Sequence, residues 1–279
     1  MTVHTSANPQ RIMPHHSHGM NDLKALLGRT LVIVAHPDDE AVGCGALLQR
    51  MRDPVVVFAT DGAPKDKYFW ARYGSREAYA KLREKEARQA LGIVGVQRVH
   101  TLGAPAHTIV DQELFRCLSN AVKLAIALID EVKPEALLTL SYEGGHPDHD
   151  SCNFLAYVLG RRRSLPIWEM PLYHRSTDGV GVFQEFLGEG EEIVLQPTPE
   201  EIEKRKQMLR TYVSQGEMLQ HFPATTERFR PLGRYDYSKP PHPGVLNYEA
   251  WQWPITGSEV AAAFSNFLQQ ERGIPATSG

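Results

Sequence analysis

"LVIVAHPDDEAVGCG", residues 31–45, sets an apolar run directly against a histidine, two aspartates and a glutamate. The run has the length and branched composition of a strand buried on both faces, and the polar cluster follows it without a spacer. Carboxylates in such a place are costly unless something compensates their charge.

Working outward, the pattern repeats. "PVVVFAT" (54–60) leads into "DGAP", and "EALLTL" (135–140) leads into "SYEGGHPDHDSC" (141–152). Further strands are expected at "RVHTL" (98–102), "IWEMPLY" (167–173) and "EEIVL" (191–195), with helices over 43–51, 75–92, 111–131, 149–161 and 199–220. Alternation of this kind predicts a parallel sheet covered by helices. The last helix is the best marked: Thr198, Pro199, Glu200 and Glu201 supply a cap, a proline in the first turn and acidic residues at the positive helix end. From residue 222 to 254 prolines and seven aromatics replace the periodic texture, which reads as an irregular extension serving as a lid or pocket wall.

Composition excludes several classes. The formal charge is -3, and no basic run exceeds Arg161, Arg162 and Arg163, so there is no electrostatic footprint for nucleic acid. Cys44, Cys117 and Cys152 form no CxxC pair and no disulfide framework. No apolar stretch is long enough for a signal peptide core or a bilayer span, so membrane insertion is not expected and a cytoplasmic location is. Residues 1–28, with His15, His16 and His18 among prolines and serines, read as a flexible segment, and 29–279 as one domain.

Ligands of a parallel sheet bind beyond the carboxyl ends of its strands, so the polar loops should converge. Together they offer His36, Asp38, Asp39, Glu40, Asp61, His146, Asp148, His149 and Asp150. Two imidazoles with one carboxylate form a catalytic zinc set that leaves a position for water, and a divalent cation would hold the carboxylates ionised. Either motif alone reads better as a turn with a capping aspartate; both together, each behind an expected strand, favour the metal.

"AHPDDEAVGCGALL" followed by "GGHPDHDSC" resembles the LmbE-like, or PIG-L, superfamily of zinc-dependent N-deacetylases over approximately residues 30–160. With the strand alternation, the fold expected is α/β: a Rossmann-like, three-layer α/β/α arrangement of a mostly parallel sheet. The resemblance implies His36, Asp39 and His149 as metal ligands, Asp38 as general base, and His146 as the group that stabilises the oxyanion and assists the leaving amine. Asp148 would sit beside His146 and keep it protonated. Arg83 in "LREKEA" matches a substrate-contacting arginine of the family, although on residue type alone it is one of many charges on an exposed helix face. The metal implied is Zn2+, with Fe2+ or another divalent ion compatible with the same donors.

The chain departs from some relatives at Gly144, where they carry tyrosine, and Tyr142 stands two residues earlier. The expected function is removal of an N-acyl, foremost N-acetyl, group from a small amino sugar or glycoside. The alternatives are a zinc amidase acting on a non-sugar metabolite and a non-catalytic carbohydrate-binding descendant. A homo-oligomer is compatible with the aromatic 222–254 segment, which suits an interface as well as a pocket.

Overall fold

A computed structural model describes residues 22–273. Among the described residues there are nine strands: β1 (Thr30–Val34), β2 (Val55–Phe58), β3 (Arg98–Thr101), β4 (Ala136–Leu140), β5 (Ile167–Met170), β6 (Tyr173–Arg175), β7 (Gly181–Phe183), β8 (Ile193–Leu195) and β9 (Glu227–Pro231). Seven form one sheet in the order β3-β2-β1-β4-β5-β9-β8, while β6 and β7 pair separately. The first five run parallel, and β9 is antiparallel to both β5 and β8. Every residue of β1, β2 and β4 is buried, as apolar runs covered on both faces require.

The helices are α1 (Asp39–Cys44), α2 (Arg76–Ile93), α3 (Leu118–Val132), α4 (Pro147–Arg163), α5 (Pro199–Thr211), α6 (Gly216–Leu219), α7 (Asn247–Ala250) and α8 (Gly257–Gly273). Helices α1 and α2 pack with α5, whereas α4 packs with α3 and α8. No described helix is long and apolar enough to cross a membrane.

Several elements differ from the sequence expectation. The first helix starts inside the motif, at Asp39, and ends at Cys44 instead of covering 43–51. The strand expected over 167–173 divides at Pro171, which has no N–H to donate to a ladder, and the chain then enters β6. The helix expected from residue 111 begins at Leu118, after a 3-10 turn over Leu114–Arg116, which leaves Asp111 in a loop. The stretch 199–220 is divided as well, because α5 ends at Thr211. Within 222–279, expected to be irregular, β9 joins the sheet and α8 buries Val260 and Phe264. Residues 1–21 of the expected flexible segment lie outside the described residues; Asp22–Leu26 forms a 3-10 helix that buries Leu23 and Leu26.

One buried ion pair fixes α1. Arg205 of α5 donates from Nε to Ala41 O (3.0 Å), from Nη2 to Val42 O and from Nη1 to Thr226 O (3.0 Å), so a cation closes the negative end of the helix. Its Nε lies 3.4 Å from Glu227 of β9, which accepts N–H bonds from Ala46 (2.6 Å) and Leu47 (2.9 Å). Both side chains are fully buried, and burial pushes the Glu227 carboxyl above its usual range while Arg205 draws it down. Arg205→Ala would leave that carboxylate unpaired. The expected loss is about 3–5 kcal/mol of unfolding free energy, measured by urea denaturation, and an unchanged midpoint would contradict this account.

Candidate active site

Strands β1 and β4 are neighbours, and the chain leaves them in opposite directions, toward β2 and β3 on one side and β5 on the other. A crevice opens at the carboxyl ends of such a pair. "HPDDE" leaves β1 and "EGGHPDHD" leaves β4 at this point.

The Asp39 carboxylate organises the first loop: Oδ2 accepts N–H bonds from Ala35 (3.1 Å) and His36 (2.8 Å). Between them the chain passes through Asp38 at φ 130°, a conformation rare for residues with a side chain. The turn is held because the Asp38 N–H donates to Glu40 Oε2 (3.2 Å), while Glu40 Oε1 accepts the Tyr212 hydroxyl. The Asp38 carboxylate receives Arg83 Nη2 at 3.0 Å. Arg83 also donates to Gly62 O (2.8 Å) and Pro37 O (2.6 Å) and is buried, so it is not one of the exposed charges of α2.

In the second loop His146 caps α4, its Nδ1 accepting the Asp148 N–H at 3.1 Å. Asp150 Oδ1 accepts N–H bonds from Glu143 (3.1 Å) and Gly144 (3.0 Å), and Glu143 Oε1 accepts those of Leu172 (2.9 Å) and Tyr173 (3.0 Å). The two loops and β6 are thereby drawn together. At Gly145 a Cβ would lie 1.9 Å from Tyr173 O, which no side chain permits.

His36, His146 and His149 converge with ring centroids 4.4, 5.4 and 5.1 Å apart. Asp39 lies between two of them, with Oδ2 3.6 Å from His36 Nδ1 and Oδ1 3.3 Å from His149 Nε2. Asp148 does not pair with His146 as expected. Its carboxylate accepts N–H bonds from Gln112 (2.6 Å) and Leu114 (3.0 Å) and lies 3.3 Å from His36 Nε2, because the helix turn that makes His146 a cap carries the Asp148 side chain toward β3.

The carboxylate facing His146 is Asp111, 3.6 Å from its Nε2 and 3.1 Å from His36 Nε2. Reading the sequence missed Asp111 by placing it in a helix. Its position in the loop at the carboxyl end of β3, the neighbour of β2 in the parallel sheet, was the available signal. Asp61 instead organises its own turn, accepting the Ala63 N–H at 3.1 Å and pairing with Arg76 at 2.6 Å. His107 packs 3.6 Å from that same carboxylate. Tyr142 donates to Lys239 O (2.7 Å) within a cluster of Tyr235, Tyr237 and Phe264, apart from the histidines.

Electrostatics separates the adjacent aspartates. Burial pushes the Asp38 carboxyl up to about 7 despite Arg83. Burial acts on Asp39 too, but His149 and His36 outweigh it and hold that carboxyl at about 2. Burial also disfavours a charged His36, yet Asp111, Asp148 and Asp39 raise it well above the usual imidazole value. Burial together with His36 pushes His146 well below that value, toward the neutral ring.

Four buried carboxylates thus surround three imidazoles, a concentration of negative charge that calls for a cation. Two overlapping groups, His36, His146 and His149, and His36, Asp111, His146 and Asp148, each bring their ligand atoms within 4.8 Å of one another and could hold a metal ion. The donors fit. Both ring nitrogens of His149 and Oδ1 of Asp111 are buried and make no well-directed hydrogen bond, although Asp39 and His36 approach to 3.3 and 3.1 Å, which leaves their lone pairs available to an ion.

The three histidines, Asp38, Asp39 and Asp111 line a cavity of about 300 Å3, which Phe69, Tyr173, Trp251 and Trp253 also line. The 222–254 segment therefore supplies pocket wall. His149→Ala is expected to weaken Zn2+ uptake by more than the about 10–100-fold typical of outer-partner changes, measured by competition with a chromophoric chelator. Tyr142→Phe should leave uptake unchanged.

Comparison with known proteins accords with this geometry. Residues 31–159 match the family model described as PIG-L: GlcNAc-PI de-N-acetylase. The chain is 29% identical over 149 residues to a probable N-acetyl-alpha-D-glucosaminyl L-malate deacetylase 2 of Bacillus cereus, covering 52% of this chain and 65% of that protein. It is 26% identical over 187 residues to a 1D-myo-inositol 2-acetamido-2-deoxy-alpha-D-glucopyranoside deacetylase of Mycobacterium sp. (strain KMS), covering 57% and 58%. The chain therefore spans less than two thirds of the length of these curated relatives. Among solved structures, an A40926 pseudoaglycone deacetylase superposes with a TM-score of 0.59 at 20% identity, covering 74% of this chain and 98% of that one. A triple mutant of a deacetylase of the teicoplanin biosynthetic pathway gives 0.57 at 21%, covering 75% and 99%. At these identities the structural likeness is one of fold, while residues 31–159, which carry both histidine loops, are the part of the chain similar to the PIG-L family.

Proposed function

We propose that the protein is a metal-dependent hydrolase that removes an N-acetyl group from an amino sugar or glycoside. The observation that carries this reading is the pairing, in one cavity, of unsatisfied imidazole and carboxylate donors with a second aspartate, Asp38, set against Arg83. His36, Asp39 and His149 would hold the ion, which we take to be zinc. When bound, a divalent cation supplies a water of lowered pKa and polarises the acyl carbonyl.

The chain's own groups account for the proton traffic. Asp38, raised to about 7 by burial, is suited to take a proton from the nucleophilic water near neutral pH, and Arg83 fixes its orientation. Burial and His36 push His146 toward the neutral ring, and its Nδ1 accepts the Asp148 N–H, so Nε2, which faces Asp111, is the nitrogen left to carry the proton. From there Nε2–H can donate to the developing oxyanion. As the water oxygen bonds to the acyl carbon and the C–N bond breaks, the proton held on Asp38 is the one the leaving amine requires. The water's second proton leaves with the new carboxyl group and passes to the amine or to solvent, so acetate and an ammonium, or acetate, a free amine and a released proton, account for every atom and charge.

The test separates binding from chemistry. Asp38→Ala should retain metal while turnover of an N-acetylglucosamine glycoside falls by about 10²–10⁴-fold, measured as acetate release. Full activity in that variant would overturn the assignment.

A further inference from the structure

The chemistry of the cavity floor leaves its mouth unexplained. Rings run outward from the histidines without a break. Trp253 lies 5.1 Å from His146, Trp251 lies 5.2 Å from Trp253, and Phe69 lies 6.4 Å from Trp253. On the other side Tyr173 lies 5.2 Å from His149 and 6.2 Å from Trp251. The outermost members are open to solvent: Trp251 is 46% exposed, Met218 41%, and Tyr68, stacked edge-on against Phe69 at 5.5 Å, 86%. Grouped apolar side chains left exposed beside a pocket mark a recognition surface.

Charge sharpens the identity of what is recognised. Among the described residues lining the cavity, Arg83 is the one lysine or arginine, and its Nη atoms are committed to Asp38, Pro37 O and Gly62 O. No other lysine or arginine lines the cavity to pair with a carboxylate or phosphate on the part of the substrate that faces the rim, and Asp38, Asp39 and Asp111 would repel one. A sugar seated over the histidines would meet Tyr173 and Trp253, and the group attached to it would meet Trp251, Phe69 and Met218.

We infer that the substrate is an N-acetylated amino sugar whose aglycone is flat, apolar and uncharged, an aryl glycoside, with the Trp251, Phe69 and Met218 rim holding the aryl group. This rests on the N-deacetylase reading and adds the identity of the aglycone. Aromatic pairs of this geometry gain enough for roughly three- to tenfold in affinity. Methionine adapts its shape to such a group.

The experiment assays the full-length, Zn2+-loaded protein with phenyl and methyl glycosides of N-acetylglucosamine and with N-acetylglucosaminyl L-malate. The phenyl glycoside should lead in kcat/KM by roughly three- to tenfold over the methyl glycoside, chiefly through KM, with the malate glycoside last. Trp251→Ala should remove the phenyl advantage, and Met218→Arg should raise the malate glycoside relative to the phenyl one. Equal kcat/KM for phenyl and methyl glycosides, or preference for the malate glycoside, overturns the aglycone inference while leaving deacetylation standing. Acetate release from none of the three overturns the underlying reaction instead. In that case calorimetric binding of phenyl and methyl glucosaminides decides the rim directly: tighter phenyl binding that is lost in Trp251→Ala supports it, and equal binding overturns it.

Discussion

The carboxylate of Asp39 joins the end of β1 to the start of α1 and faces the first turn of α4. One oxygen accepts two backbone N–H groups of its own loop while the other lies beside His149, 110 positions along the chain. Because the backbone N–H groups orient the carboxylate, it needs no further side chain to point it into the cavity. His36 is placed by the same turn. Everything else in the centre is arranged around this tie between adjacent parallel strands.

Holding so many acidic groups in a buried site requires support from outside it. Arg205 closes the far end of α1 and is held by Glu227 on β9. The Tyr212 hydroxyl, just beyond α5, meets Glu40, which in turn secures the positive-φ turn at Asp38. Two consecutive aspartates thereby reach different partners, one among imidazoles and one on a guanidinium, and their proton affinities separate accordingly. Shape and charge work together in this, since a turn without strain at Asp38 would not aim the pair in divergent directions.

The C-terminal third of the chain closes the site rather than trailing from it. β9 lies between β5 and β8 in the sheet, and the segment that follows brings Trp251 and Trp253 to the cavity that holds the histidines. This explains the unusual texture of 222–254: prolines and glycines permit an irregular path, and aromatic residues cover a mouth that no regular element crosses. Tyr142 belongs to the same packing on its inner side, where its hydroxyl is used by Lys239 O.

The amino-acid sequence by itself determined the mostly parallel sheet and the loops that carry the candidate donors. Apolar runs that end in polar loops must be interior strands of a parallel sheet, and that puts "HPDDE" and "HPDHD" at one edge. It was equally sufficient for the cap at Thr198, which is a local property. Only the tertiary structure decided which side chain serves which partner. Asp111 enters the site because the loop after β3 folds back beneath α4, and the Asp148 carboxylate lies beside His36 because the N–H groups of Gln112 and Leu114 in that loop hold it there. Arg83 changes from a surface charge to the partner of Asp38 through the packing of α2 against the crevice. Such choices depend on directions and distances between residues far apart in the chain, and periodicity along one chain carries no information about them.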